Sequence, residues 1–195
     1  MSEKKRIVLA SQSPRRRELL GGLISEFDIM IDTTEEVAAP DLTPEELVKC
    51  LALQKAQNVA KMADGDALVI GADTVVCIDG RVLGKPKDEA EAKEMLKLLS
   101  GREHHVCTGF AIVDNTTGET VRDFERTVVK FRLLTDDEIE KYIKSGEPMD
   151  KAGAYGIQGV GALFVEGIKG DYFNVVGLPL CTLFKSLKEN FNYEV

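Results

Sequence analysis

The 195-residue chain lacks the marks of several large protein classes. No apolar run approaches the roughly 18–20 residues of a membrane-spanning helix. The stretch Ile7-Val8-Leu9-Ala10, after a polar start, is too short for the core of a secretory signal. Positive charge is not in excess: 25 Lys and Arg stand against 33 Asp and Glu, a formal net charge of −8. So acidic a chain argues against the broad cationic footprint that nucleic acid or an anionic membrane requires, though not against a local site for a small anion. The four cysteines, Cys50, Cys77, Cys107 and Cys181, are scattered, with no CxxC or Cys/His spacing for zinc. We expect structural thiols in a reduced, cytoplasmic protein. The only two histidines, His104 and His105, are adjacent, and on a strand they would point to opposite faces, which argues against zinc ligation. The sequence holds no GxxxxGK[ST] loop and no GxSxG elbow, so a Walker-type site and a covalent serine intermediate are both disfavoured.

What is present is an ordinary globular composition, 44% hydrophobic and 30% charged, expected to form a single domain over residues 1–195. Residues 6–10 read as a buried strand. Ser13 at an N-cap and Pro14 at the first helical position then open a helix running to Gly21-Gly22. Residues 27–33 alternate as a strand, and a polar loop follows over 34–42. Thr43-Pro44-Glu45-Glu46 reads as a capping box opening a helix to about Ala63. A β-rich run over 67–78 is interrupted by Gly71-Ala72-Asp73-Thr74, and Asp79-Gly80 turns it into a hairpin. Asp88 caps a helix ending at Ser100-Gly101. Strands are expected over 105–114 and 120–134, then a second capping box at Thr135 to Glu138 with a helix to about Ser145. Strands around 162–166 and 172–176 and a last helix from Leu178-Pro179 complete the chain. Helices alternate with strands early and hairpins dominate the middle. The expectation is an α/β (mixed α+β) fold, a mixed sheet with helices packed on it.

Several stretches carry chemistry. In Ser11-Gln12-Ser13-Pro14-Arg15-Arg16-Arg17, three arginines fall in the first turn of a helix, where the macrodipole already favours an anion. A phosphate would use the N–H groups, the Ser11 and Ser13 hydroxyls and the Arg15 and Arg16 guanidiniums together. A solvated basic turn is the alternative. Asp73 lies inside an apolar β run, where a carboxylate needs a metal, a cation or a water to activate; a turn aspartate bonded to nearby backbone is equally open. Lys85, in Gly84-Lys85-Pro86, follows the hairpin. Lys55 sits mid-helix among Ala52, Ala56 and Val59, where most lysines merely snorkel, and the residues alone give it no role. The loop pair Glu35-Glu36 could supply a metal-binding carboxylate or only solvation. Residues 149–159, which include Lys151 and Gln158, are too glycine-rich for a helix interior; small residues let a loop approach a ligand, and Gln158 offers the donor–acceptor pair that reads a base edge.

Taken together, Ser11-Gln12-Ser13-Pro14-Arg15-Arg16, Gly71-Ala72-Asp73-Thr74-Val75, Gly84-Lys85-Pro86, the stretch from Ser100-Gly101 to Thr108, Glu147 through Gly159 and Asn174-Val175-Val176-Gly177-Leu178-Pro179 resemble the Maf family over nearly the whole chain. The resemblance implies an elongated mixed sheet flanked by helices, two lobes with a central cleft, and a fold similar to inosine triphosphate pyrophosphatase. It implies metal-dependent hydrolysis of nucleoside triphosphates (dTTP, UTP and modified pyrimidine nucleotides) to monophosphate and pyrophosphate, with Mg²⁺, Mn²⁺ or Co²⁺. By position, Asp73 matches the proton acceptor; Arg15, Thr74 and Gln158 match specificity positions; Glu36, Lys55 and Lys85 match metal- and phosphate-handling residues. The metal would be held by Glu36 and Asp73. The family analogy also suggests a homodimer. Pyrophosphatase action on a modified purine or 7-methyl-GTP, and a non-catalytic nucleotide-binding regulator of cell division, stay open as alternatives.

Overall fold

A computed structural model describes residues 5–34, 36–39 and 41–194; Glu35 lies outside the described residues. The strands are β1 (Arg6–Ala10), β2 (Asp28–Ile29), β3 (Ala67–Ile78), β4 (Arg81–Leu83), β5 (Glu103–Asp114), β6 (Thr120–Phe131) and β7 (Val165–Lys169). They form a seven-stranded sheet in the order β2-β1-β3-β5-β6-β7, with β4 paired to β3. β1 runs parallel to β2 and β3, whereas β4 is antiparallel to β3 and β7 to β6, so the sheet is mixed. The helices are α1 (Pro14–Gly21), α2 (Pro44–Ala60), α3 (Glu89–Leu99), α4 (Asp136–Lys144), α5 (Tyr172–Val176) and α6 (Leu180–Phe191). Among the described residues no helix is long and apolar enough to cross a membrane.

The chain divides into two compact units, one of Met1–Asp73, Thr108–Glu125 and Gly177–Val195, the other of Thr74–Cys107 and Arg126–Val176. In the first unit the period of two along β1 sorts its residues between two cores. Ile7 and Leu9 join Leu68, Ile70, Phe110 and Ile112 beneath Leu20 of α1 and Leu183 and Leu187 of α6. Val8 and Ala10 join Val69, Ala111 and Val113 beneath Ala52, Ala56 and Val59 of α2. The second unit has one core, in which Val76, Val106, Val129 and Phe131 of the strands meet Leu96 and Leu99 of α3 and Ile139 and Tyr142 of α4.

The structure departs from the sequence reading in five places. The strand expected over 27–33 shrinks to Asp28–Ile29. β3 runs unbroken through Gly71 and Asp73. At α2 only half of the capping box forms: the Thr43 hydroxyl accepts from the Glu46 N–H, while the Glu46 carboxylate takes the Lys49 ammonium at 2.8 Å. At α4 both halves of the Thr135–Glu138 box are present. Residues 172–176, expected as a strand, form α5. The Asp171 carboxylate accepts from the Phe173 N–H at 2.8 Å and starts a turn, and buried Asn174 anchors it by donating to the Val106 carbonyl and the Thr127 hydroxyl. Those long-range acceptors are invisible to a local pattern. Residues 162–164, read as part of another strand, belong to a 3-10 turn over Val160–Phe164 that precedes β7.

Candidate active site

In the first unit the site begins with the absence of a side chain. A Cβ at Gly71 of β3 would lie 2.3 Å from the Ala52 carbonyl oxygen and 2.8 Å from the Ala56 nitrogen. At Gly109 of β5 it would lie 2.5 Å from the Val48 carbonyl carbon. Helix α2 therefore rests on the sheet almost backbone to backbone at Gly71 and Gly109. Lys55, between Ala52 and Ala56 on α2, reaches the strand end, where its ammonium pairs with the Asp73 carboxylate and, at 3.2 Å, with Glu36. The Lys55 and Asp73 side chains keep only 22% and 16% of their exposure, whereas Glu36 keeps 42%. Asp73 is thus a fixed element of the strand, and Glu36 a more exposed arm on the loop.

That loop is itself held by α2. Gln54 brackets Val37: its side-chain oxygen accepts from the Val37 N–H at 3.0 Å, and its amide donates to the Val37 carbonyl. One turn further on, Asn58 donates to Asp32 at 2.7 Å. Gln54 fixes the residue next to Glu36, a role missed in the sequence because nothing local signals it. Lys55 was equally silent as an isolated residue and was placed only by the family resemblance.

The mouth of α1 forms as its cap chemistry requires. The Ser13 hydroxyl accepts from the Arg16 N–H at 3.4 Å, and no acidic residue occupies the first turn. The Ser11 hydroxyl accepts from the Ser13 N–H at 3.2 Å. Arg15 and Arg16 are half-buried and Arg17 is exposed. Arg16 donates from Nε to the Gly177 carbonyl at 2.7 Å and from Nη1 to the Ala72 carbonyl at 2.8 Å. It therefore ties the mouth of α1 to the peptide just before Asp73. Burial pulls the pKa of Arg16 below its ordinary value; Arg15 adds to this, and the Asp73 and Glu36 carboxylates oppose it. Two guanidiniums repelling each other at the positive end of a helix make a site that a phosphate relieves.

In the second unit Thr74 follows Asp73 along β3 and Lys85 is exposed after β4. The Gly153 N–H donates to the Gly84 carbonyl at 3.0 Å, which joins the Gly84-Lys85-Pro86 segment to the glycine-rich stretch. Lys151 is only 12% exposed, and its ammonium donates to the Glu147 carbonyl and the Asp150 carboxylate, both at 2.7 Å. Its charge is committed within the loop. The Gln158 amide, by contrast, makes no hydrogen bond to another described residue.

Among the described residues no three His, Cys, Asp or Glu side chains gather as a metal centre. The donor set here is a pair, Glu36 and Asp73, converging on one cation, the Lys55 ammonium. Two carboxylates that already share a cation fit Mg²⁺ or Mn²⁺, which complete their octahedra with water and substrate phosphate.

The chain is 55% identical over 188 residues to the dTTP/UTP pyrophosphatase of Alkaliphilus oremlandii (strain OhILAs), spanning 96% of this chain and 97% of that protein. It is 51% identical over 191 residues to the dTTP/UTP pyrophosphatase of Bacillus cereus (strain AH187), spanning 98% of each. Among solved structures it is similar to the Staphylococcus aureus Ham1 protein, at 15% identity and a TM-score of 0.45 over 65% of this chain and 72% of that one. The family model for Maf-like proteins matches residues 6–190, and the chain belongs to that family.

Proposed function

We infer that this chain is a nucleoside triphosphate pyrophosphatase that converts dTTP and UTP to the monophosphate and pyrophosphate. The observation that carries the reading is the Lys55 ammonium set between the Asp73 and Glu36 carboxylates, in the unit whose first helix opens on Arg15 and Arg16. Supporting it are the full-length relatives that bear this activity in their names.

In the proposed mechanism a water attacks the α-phosphorus in line, the bond from that phosphorus to the bridging oxygen breaks, and pyrophosphate departs with the oxygen. Asp73, held by β3 and by Lys55, orients the water and accepts its proton. Arg15 and the N–H groups of α1 take phosphate oxygens, while Arg16 orders the backbone between them and Asp73. Lys55 and Lys85 offset charge that develops on the phosphates. Glu36 and Asp73 would hold a divalent cation, Mg²⁺, Mn²⁺ or Co²⁺, which when bound neutralises phosphate oxygens. Thr74 and Gln158 are assigned to the pyrimidine. A site that leaves such polar groups unpaired with the wrong base rejects it. The enzyme is placed in the cytoplasm, where its substrates are.

The test is a nucleotide panel with pyrophosphate and orthophosphate detected separately. dTTP and UTP should give pyrophosphate and the monophosphate in equal amounts. Orthophosphate as the product, a preference for 7-methyl-GTP, or tight dTTP binding without turnover would each overturn the reading.

A further inference from the structure

The glycines of residues 156–161 close around a carboxylate that no part of the mechanism uses. Glu147 accepts at Oε1 from the Tyr142 hydroxyl at 2.9 Å and from the Gly161 N–H at 3.2 Å, and at Oε2 from the Val160 N–H at 3.1 Å. Tyr142, itself buried, completes the clasp by accepting from the Gly156 N–H at 3.2 Å. The loop fits so closely that side chains are excluded. A Cβ at Gly159, where φ is +78°, would lie 3.0 Å from Glu147 Oε2. At Gly161 it would lie 2.4 Å from the Gly156 carbonyl oxygen and 2.7 Å from the Tyr142 hydroxyl. At Gly156 it would lie 2.6 Å from the Lys151 side chain, whose ammonium bonds the Glu147 carbonyl. The span held at both ends by this clasp contains Gln158.

We propose that Glu147, with Tyr142, is a positioning residue for base selectivity, holding the main chain on both sides of Gln158 so that its amide is presented in one orientation. The proposal rests on the assignment of Gln158 to the base. A carboxylate suits the task because its two oxygens accept several N–H donors at once, and charge-assisted bonds are the stronger kind. Burial raises the Tyr142 pKa well above the ordinary phenol value, so the hydroxyl stays protonated and keeps donating to Glu147. The glycines that look from the sequence like an opening for a ligand are spent on an internal anion, and half-buried Gln158 lies in the span that they hold.

Glu147→Gln preserves shape but turns one acceptor into an amide donor facing main-chain N–H groups. The variant should speed hydrogen exchange at the Val160 and Gly161 amides about tenfold or more. Selectivity for UTP over CTP should fall about tenfold, through a raised KM for UTP more than a lowered kcat. Tyr142→Phe should shift both readouts the same way by less, and it carries the exchange test alone should Glu147→Gln not fold. In a Gln158→Ala background, Glu147→Gln should cause no further loss of selectivity. Unchanged exchange in the variants, or selectivity losses that multiply in the double variant, would overturn the proposal. Should Gln158→Ala alone leave base preference intact, the assignment of Gln158 fails and the selectivity role of Glu147 fails with it, while the exchange rates still report whether the clasp exists.

Discussion

In the first unit an ammonium is wedged between two carboxylates that keep part of their exposure; in the second a carboxylate is wrapped by main-chain amides and a phenol. The first arrangement joins charges from a helix, a strand and a loop, and an incoming phosphate or metal can compete for any of them. The second lies within one stretch of chain and the helix before it, and its donors, the Tyr142 hydroxyl and the Val160 and Gly161 N–H groups, are internal to it. Reaction chemistry fits the first kind of region, where charges can be re-partnered. Recognition fits the second, where shape is held and one amide is offered.

The comparison is most sharply broken at Asp73. Asp73→Asn should lower kcat for pyrophosphate release about 10²–10⁴-fold while the circular dichroism and melting temperature stay near those of the parent. Near-normal turnover would remove the first region from the chemistry. Lys55→Ala should cost about 10–10²-fold in kcat/KM for dTTP and UTP alike, measured by the same pyrophosphate assay. A loss confined to one base would instead make Lys55 a recognition residue. Gln158→Ala should leave catalysis of the poorer substrates nearly untouched and erode UTP selectivity roughly tenfold in competition assays.

The smallest expected effect is on stability and belongs to the second unit. His104 is buried, with Nε2 2.7 Å from the Tyr155 hydroxyl and its ring edge-on to Phe131. Burial, reinforced by neighbouring His105, draws its pKa down to about 4. The unfolded chain, with an ordinary histidine pKa of about 6.5, binds the proton first. Stability from this group is therefore full above about pH 6.5 and drains as the pH falls towards 4. Thermal melts between pH 7 and 4 should show this slope, and His104→Gln should flatten it. An unchanged slope would locate the acid sensitivity elsewhere.

How much of this was legible in the sequence follows the range of the forces involved. The caps at Ser13, Asp88 and Thr135 could be read directly, because an N-cap is settled within four residues. The basic mouth of α1 was legible for the same reason. Lys55 was not, since its task depends on how closely α2 approaches β3, and that is set at Gly71, sixteen positions along. Gln54 and Glu147 were illegible too: each acts on the backbone of a distant residue, and backbone N–H groups carry no residue-specific signature. Residues 172–176 misled because β-branched and aromatic residues favour strands, whereas Asp171 and buried Asn174 impose a turn.

The seam between α2 and the sheet has one more consequence. Where two main chains touch at Gly71 and Gly109, no side chain remains to cushion an error. A single methyl added at either place must lift the helix bodily, carrying the lysine and the glutamine-held loop away from the aspartate together. The calibration of the reactive centre is thus entrusted to two positions with no functional group at all, and a survey that looked only for reactive side chains would pass over both.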